Sequence, residues 1–253
     1  MPTPPGLRPI TQNLAQRLAK GEHLVLWGPI GSGKTTLAAE IQQRVAGRAC
    51  ALAPMTRSLD DITRALERAY PSISTEGVSR RTARVRLSRA ADREPAVLLL
   101  DHVSAVSTAM KGFLRQLRGR IAGVLLVFDI DSSRERTRLR ARHLGCMSVR
   151  MPALPSRVQR ALLAAQWPAN DFAQPSAAAR RVLIRAARGR PGWIAVCAQL
   201  AREPRYWCAD GLKARVLALD SELTMRALKR PILDRENSPG AGRPIVLRYE
   251  GGR

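Results

Sequence analysis

Nine consecutive residues carry the most legible chemistry in this chain: Gly28-Pro29-Ile30-Gly31-Ser32-Gly33-Lys34-Thr35-Thr36. The glycines let backbone N–H groups turn inward onto phosphate oxygens. Lys34 has the reach and charge for the β- and γ-phosphates of a nucleotide. The Thr35 hydroxyl is placed to hold Mg²⁺. Thr36, the next residue, packs or caps. An apolar run, His23 to Trp27, precedes the loop, and an amphipathic stretch, Leu37 to Val45, follows it. Strand, glycine-rich loop and helix is the context such a loop requires, and the helix N-terminus adds partial positive charge.

Carboxylates end two other apolar runs. Asp101 follows Ala96-Val97-Leu98-Leu99-Leu100, and Asp129 follows Gly123 to Phe128. Ligands of a parallel sheet bind outside the carboxyl ends of its strands, so both acids are expected beside the loop. Asp101 can hold Mg²⁺ or its water ligands, or can cap the helix that follows. His102 can accept a proton at neutral pH, or can merely face that helix. Asp129 and Asp131 can position water or sense the γ-phosphate, or cap the helix starting near Ser132. That helix, Ser132 to His143, carries Arg134, Arg136, Arg138, Arg140 and Arg142 against Glu135. Alternate spacing spreads them around the axis, so they cannot all serve one ligand. One of them could reach the γ-phosphate held by a neighbouring subunit.

The elements that must position these groups alternate. Thr11 can cap a helix, Gln12 to Lys20, that Gly21 ends. Strands are expected at His23–Trp27, Arg48–Ala53, Ala96–Asp101, Gly123–Phe128 and Cys146–Met151. Helices are expected at Leu37–Val45, Asp60–Ala69, Val78–Arg93, Ser104–Arg118 and Ser132–His143. Unbroken apolar strands between helices indicate an α/β fold, a parallel sheet with helices on both faces. After Pro152 the pattern turns all-helical: Pro155–Trp167, Ser176–Arg188, Pro191–Arg202 and Gly211–Leu228. The expected organisation is an N-terminal extension and helix (1–22), a phosphate-loop α/β core (23–152), a small helical lid (153–228) and a Pro/Gly-rich tail (229–253). One short strand, Pro244 to Tyr249, is possible in that tail.

Composition bounds the partners. The chain has 253 residues, with 43 basic and 20 acidic side chains, a formal net charge of +23. Arginine-rich coding explains Arg over Lys but not the shortage of acids, and so basic a domain commonly meets a polyanion. Aromatic residues are few, which argues against extensive base stacking. Cys50, Cys146, Cys197 and Cys208 form no C-x-x-C pair and read as reduced thiols of a cytoplasmic protein. No leader or long apolar span is apparent, so no membrane partner is expected. The segment Ser79 to Arg93 holds Arg80, Arg81, Arg84, Arg86, Arg89 and Arg93 against Asp92. Arg80 and Arg84 share one face, as do Arg86, Arg89 and Arg93. Such a face can track duplex phosphates without reading bases, or can simply be solvated. Lys111 is a weaker candidate on the next helix.

Taken together, the chain resembles an AAA+ ATPase over roughly residues 10 to 205. The loop, the Asp101 strand (Walker B), the Asp129 strand (sensor 1), the arginine-bearing helix and the helical lid all have counterparts. The resemblance implies ATP and Mg²⁺ as cofactors, bound between subunits. Ala141-Arg142-His143-Leu144-Gly145 sits where initiator-type members carry an arginine finger, making Arg142 the first candidate and Arg140 the second. Arg188-Gly189-Arg190-Pro191-Gly192-Trp193 resembles the sensor-2 turn of RuvB and initiator ATPases. The sensor-2 arginine would fall on Gly192, with Arg190 a possible substitute. Hydrolytic relatives place Glu where His102 stands, so both departures imply slow hydrolysis. In initiator-like relatives the region containing Ser79 to Arg93 faces a central pore. Short length, compact lid and basic charge look most like the transposition regulators of the TnsC, TniB and MuB type. Those assemble as rings or filaments on duplex DNA and recruit a transposase or targeting protein. The alternatives are a STAND-type signalling or scaffold NTPase, and a helicase-loader or branch-migration ATPase.

Overall fold

The structure is a computed structural model that describes residues 5–45, 48–103, 106–129, 145–167, 175–209 and 211–229. The basic segment from Ser132 to His143, with Asp131, Arg140 and Arg142, lies outside these residues, as does the tail beyond Lys229.

Five parallel strands form the central sheet: β1 (His23–Gly28), β2 (Cys50–Ala53), β3 (Val97–Leu100), β4 (Gly123–Asp129) and β5 (Met147–Arg150), in the order β2-β3-β4-β1-β5. Successive strand residues point to opposite faces, so a strand covered on both sides must be apolar throughout. β3 shows this directly: Leu98 and Leu100 enter the core on one face, Val97 and Leu99 the core on the other. The first face is covered by α3 (Leu59–Ala69), α4 (Arg80–Arg93) and α5 (Thr108–Leu117), through Ile62, Leu66, Leu87, Ala91, Met110 and Leu114. The second is covered by α1 (Arg8–Ala19) and α2 (Lys34–Arg44), through Leu14, Leu18, Leu37 and Ile41.

The helix starts follow capping chemistry. Ser58 and Asp61 form a reciprocal capping box at α3, Ser79 caps α4 and Ser107 caps α5. The expected start of α5 at Ser104 therefore moves to Thr108. α1 departs further from expectation, beginning at Arg8 rather than Gln12. Pro9 is tolerated at its second position, where the missing N–H has no helical partner. Thr11 does not cap. It is buried in the first turn and donates its hydroxyl to Leu7 O at 3.0 Å.

Beyond β5, α6 (Ser156–Gln166), α7 (Ala177–Ala187), α8 (Pro191–Leu200) and α9 (Ala214–Lys229) surround a third apolar cluster that includes Leu163, Leu183, Ile194, Tyr206 and Leu217. The sequence suggested an entirely helical part, and the structure corrects this. Trp207–Cys208 (β6) and Gly211–Leu212 (β7) pair as a two-residue antiparallel ribbon. Pro204 cannot continue a helix, and the Trp207 indole is fixed by donating to Ala201 O at 2.8 Å. No helix among the described residues is long and apolar enough to cross a membrane.

Candidate functional site

Register brings the site together. β4 lies between β3 and β1, and Gly28 pairs with Asp129 across β1 and β4. The carboxyl ends of three adjacent strands therefore present Asp101, Asp129 and the start of the loop. Pro29 to Ser32 turn back on themselves, with Ser32 N–H donating to Pro29 O at 3.3 Å. Gly31 occupies the third position with φ +76°, a value that favours glycine, as does φ +92° at Gly33. α2 begins at Lys34 with no side-chain cap. Its first internal bond runs from Leu37 N–H to Gly33 O, so the helix itself uses none of the N–H groups of Lys34, Thr35 and Thr36. Together with the helix dipole they form an anion-binding end.

Lys34 is buried, and its ammonium is enclosed by oxygens: Pro29 O at 2.7 Å, Gly28 O at 2.8 Å and Ser32 Oγ at 3.2 Å. It also pairs with Asp129 Oδ1 at 2.8 Å. The other oxygen of Asp129 lies 3.3 Å from His102 Nδ1, and His102 Nε2 lies 3.3 Å from Thr35 Oγ1. One bridge of side chains thus runs Lys34, Asp129, His102, Thr35. His102 is held there by a left-handed backbone, φ +49°, and by its N–H donating to Asp101 Oδ1 at 2.8 Å. The Asp129 hydrogen bond is the main cause of a raised His102 pKa, with the Asp101 and Asp129 charges adding to it. Burial opposes the rise, and so does Lys34. Asp101 is 2% exposed. Burial pushes its carboxyl pKa up, against the lowering effect of His102 and the Thr35 hydroxyl.

The donor set suits a hard cation with phosphate oxygens completing its shell. Asp101 and Thr35 bring oxygen atoms to the loop mouth, donors of the kind a hard cation such as Mg²⁺ favours. No group of three or more His, Cys, Asp or Glu side chains among the described residues could hold a metal by itself.

The lid touches the loop directly. Gly192 N–H donates to Gly31 O at 2.9 Å, and the Trp193 indole donates to Ile30 O at 3.1 Å. The Ile30 side chain packs against the lid cluster. The Arg190 guanidinium lies 5.0 Å from the centre of the Trp193 ring. Sequence reasoning singled out Gly192 for the arginine it lacks. It did not anticipate that Gly192 and Trp193 contact the loop, because no local pattern joins positions so far apart in the chain.

The arginine face of α4 is placed as follows. Arg80 pairs with Glu67 at 3.4 Å, Arg84 with Asp60 at 3.8 Å, and Arg86 donates to Ser74 O at 2.8 Å. Arg81 and Arg89 are exposed, and Lys111 is half-buried on α5. The acids that pair with Arg80 and Arg84 stand on α3, and only packing of the two helices brings them together.

Comparison with known proteins identifies the family and a shared fold. Residues 24–163 match the profile of the ATPase family associated with various cellular activities (AAA). No curated protein matches the chain. Among solved structures, a Walker-type ATPase of Pyrococcus abyssi is similar at a TM-score of 0.54 and 13% identity, over 91% of this chain and 76% of that one. A Thermotoga maritima RuvB variant gives a TM-score of 0.47 at 15% identity, over 87% and 68% of the two chains. C. elegans PCH-2 gives 0.44 at 13%, over 87% and 69%. A glycine-rich loop ahead of an uncapped helix, a buried strand-end carboxylate and the family match over more than half the chain lead to one conclusion: this protein belongs to the AAA family of nucleotide-binding ATPases.

Proposed function

We propose that this protein binds ATP with Mg²⁺, hydrolyses it slowly, and uses the bound state to assemble on duplex DNA and regulate transposition through a partner transposase or targeting protein. The observation that carries the nucleotide part is the uncapped helix end beside the enclosed Lys34 ammonium. Loop amides and Lys34 would hold the phosphates, and Thr35 with Asp101 would hold Mg²⁺. Bound Mg²⁺ supplies neutralisation of phosphate charge. His102 stands where a carboxylate would orient attacking water, and it is engaged by Asp129 and Thr35. That engagement supports slow turnover. Steady-state ATPase assays test it: His102→Glu should raise kcat about a hundredfold or more, the lower end of general-base contributions. Brisk wild-type turnover without DNA would refute the slow-ATPase reading.

Charge distribution supports the DNA part. Besides α4, the lid exposes Arg157 and Arg160 on α6, Arg181 and Arg185 on α7, and Arg188 just after it. Backbone tracking predicts sequence-tolerant binding that weakens steeply with salt. The salt slope should flatten in a variant lacking Arg80, Arg81 and Arg84. A second variant lacking Arg157, Arg181 and Arg185 apportions the remainder. Negative-stain electron microscopy with duplex DNA and a non-hydrolysable ATP analogue should show rings or filaments. Monomers under every condition would exclude assembly on DNA.

A further inference from the structure

The lid does more than lie near the loop, because its two hydrogen bonds fix the direction of the loop's amides. In a trans peptide the C=O and the following N–H point opposite ways, and the described chain has no cis peptide. Trp193 Nε1–H holds Ile30 O, so the Gly31 N–H points away from the lid. Gly192 N–H holds Gly31 O, so the Ser32 N–H points away as well, closing the turn onto Pro29 O. Two successive peptide planes at the tip of the loop are thus oriented by two successive lid residues.

Steric fit around this contact is close. A Cβ on Gly31 would lie 2.6 Å from Trp193 Cδ1 and 2.7 Å from Met225 Cε, and one on Gly192 would lie 3.1 Å from Gly31 Cα. Pro191 Cγ stands 3.2 Å from where a Gly33 Cβ would be. Lid helices α8 and α9 therefore both meet the loop. Trp193 is itself buried, and the Ile30 side chain anchors in the same cluster.

We propose that Gly192 and Trp193 are positioning residues for the phosphate-binding loop: they direct the Gly31 N–H away from the lid and hold closed the turn in which the Ser32 N–H is spent on Pro29 O, so that loosening either contact weakens nucleotide binding. Where an arginine would reach a phosphate from this turn, the chain instead sets the loop through backbone and indole donors. The inference rests on the reading of the loop as the nucleotide site. Linkage makes the effect reciprocal: whatever factor docking adds to nucleotide affinity, nucleotide adds to docking.

Calorimetric titration of the full chain with ADP and with a non-hydrolysable ATP analogue tests this, on wild type, Trp193→Phe, Gly192→Ala and Trp207→Phe, each also melted without nucleotide. Trp193→Phe keeps a ring but removes the indole donor, and should weaken nucleotide binding about three- to tenfold, the scale of one hydrogen bond. Gly192→Ala should weaken it by at least as much. Trp207→Phe loses a comparable indole bond, to Ala201 O, away from the loop. It should lower the melting temperature without changing nucleotide affinity more than about twofold. Hydrogen exchange supplies the reciprocal readout: saturating ADP should protect residues 190–196 in wild type and less so in Trp193→Phe. Wild-type affinity in both Trp193→Phe and Gly192→Ala overturns the proposal, as does an equal loss in Trp207→Phe. A wild-type chain that binds neither nucleotide overturns the nucleotide reading itself.

Discussion

Adding one methyl group at Gly31 tests the lid–loop contact most directly. Gly31→Ala places a Cβ at φ +76°, 2.6 Å from the Trp193 ring and 2.7 Å from the Met225 methyl. The left-handed backbone costs an L-residue about 1 kcal/mol. Overpacking costs about 1–3 kcal/mol more, depending on what can move. Met225 Cε is the end of a flexible chain and can swing aside. The Trp193 ring is buried and tied by its indole N–H to Ile30 O, so it cannot move without breaking that bond. The expected total is about 2–4 kcal/mol, which in a chain of this size lowers Tm by roughly 5–15 °C. Differential scanning calorimetry reads it. Gly112→Ala is the internal control: it lies inside α5 with nothing within 4 Å of the added Cβ. Removing a helical glycine there should stabilise by about 0.5–1 kcal/mol. If Gly31→Ala melts within about 2 °C of wild type while Gly112→Ala behaves as expected, the lid is not seated on the loop in solution and the reasoning fails.

Three further outcomes are expected. The His102 pKa is raised in the fold, so its stabilisation is complete below the ordinary value of about 6.5 and is lost as pH rises through the folded value. The Tm gap between wild type and His102→Asn, a residue that tolerates the same left-handed backbone, should therefore shrink from acidic to alkaline pH; a constant gap contradicts the Asp129 hydrogen bond. Burial pushes the Cys50 and Cys146 thiols up to about 11, whereas Cys208 is exposed. A thiol-labelling time course at pH 8 followed by peptide mass mapping should find Cys208 modified before Cys50 and Cys146, and the reverse order would contradict the packing. Ser58→Ala removes half of the capping box on α3 and should cost about 1 kcal/mol in denaturant melts; no loss would mean that the box contributes nothing measurable.

Much of the core was legible in local pattern. Val97 to Leu100 is apolar at every position because the strand is covered on both faces, and that run by itself indicated a parallel sheet. Glycine spacing before Lys34 indicated the loop, and Asp101 was placed beside it by ending a strand. The misread helix start at Thr11 has a local cause as well: a Thr hydroxyl can serve a carbonyl four residues back as readily as an exposed amide, and the sequence does not say which.

What the sequence alone determined is the set of parts: strands, a phosphate-type loop, helices, a basic surplus and two acids at strand ends. What only the tertiary structure decided is which parts meet. The pairing of Gly28 with Asp129 makes that acid the counter-ion of Lys34 and leaves its second oxygen to His102. Packing of α4 on α3 ties Arg80 and Arg84 to acids. Docking of α8 seats Gly192 and Trp193 on the loop. The physical reason is range: periodicity and capping act within a few turns of chain, whereas strand order and helix docking are settled by burying apolar faces that carry no address for their partners.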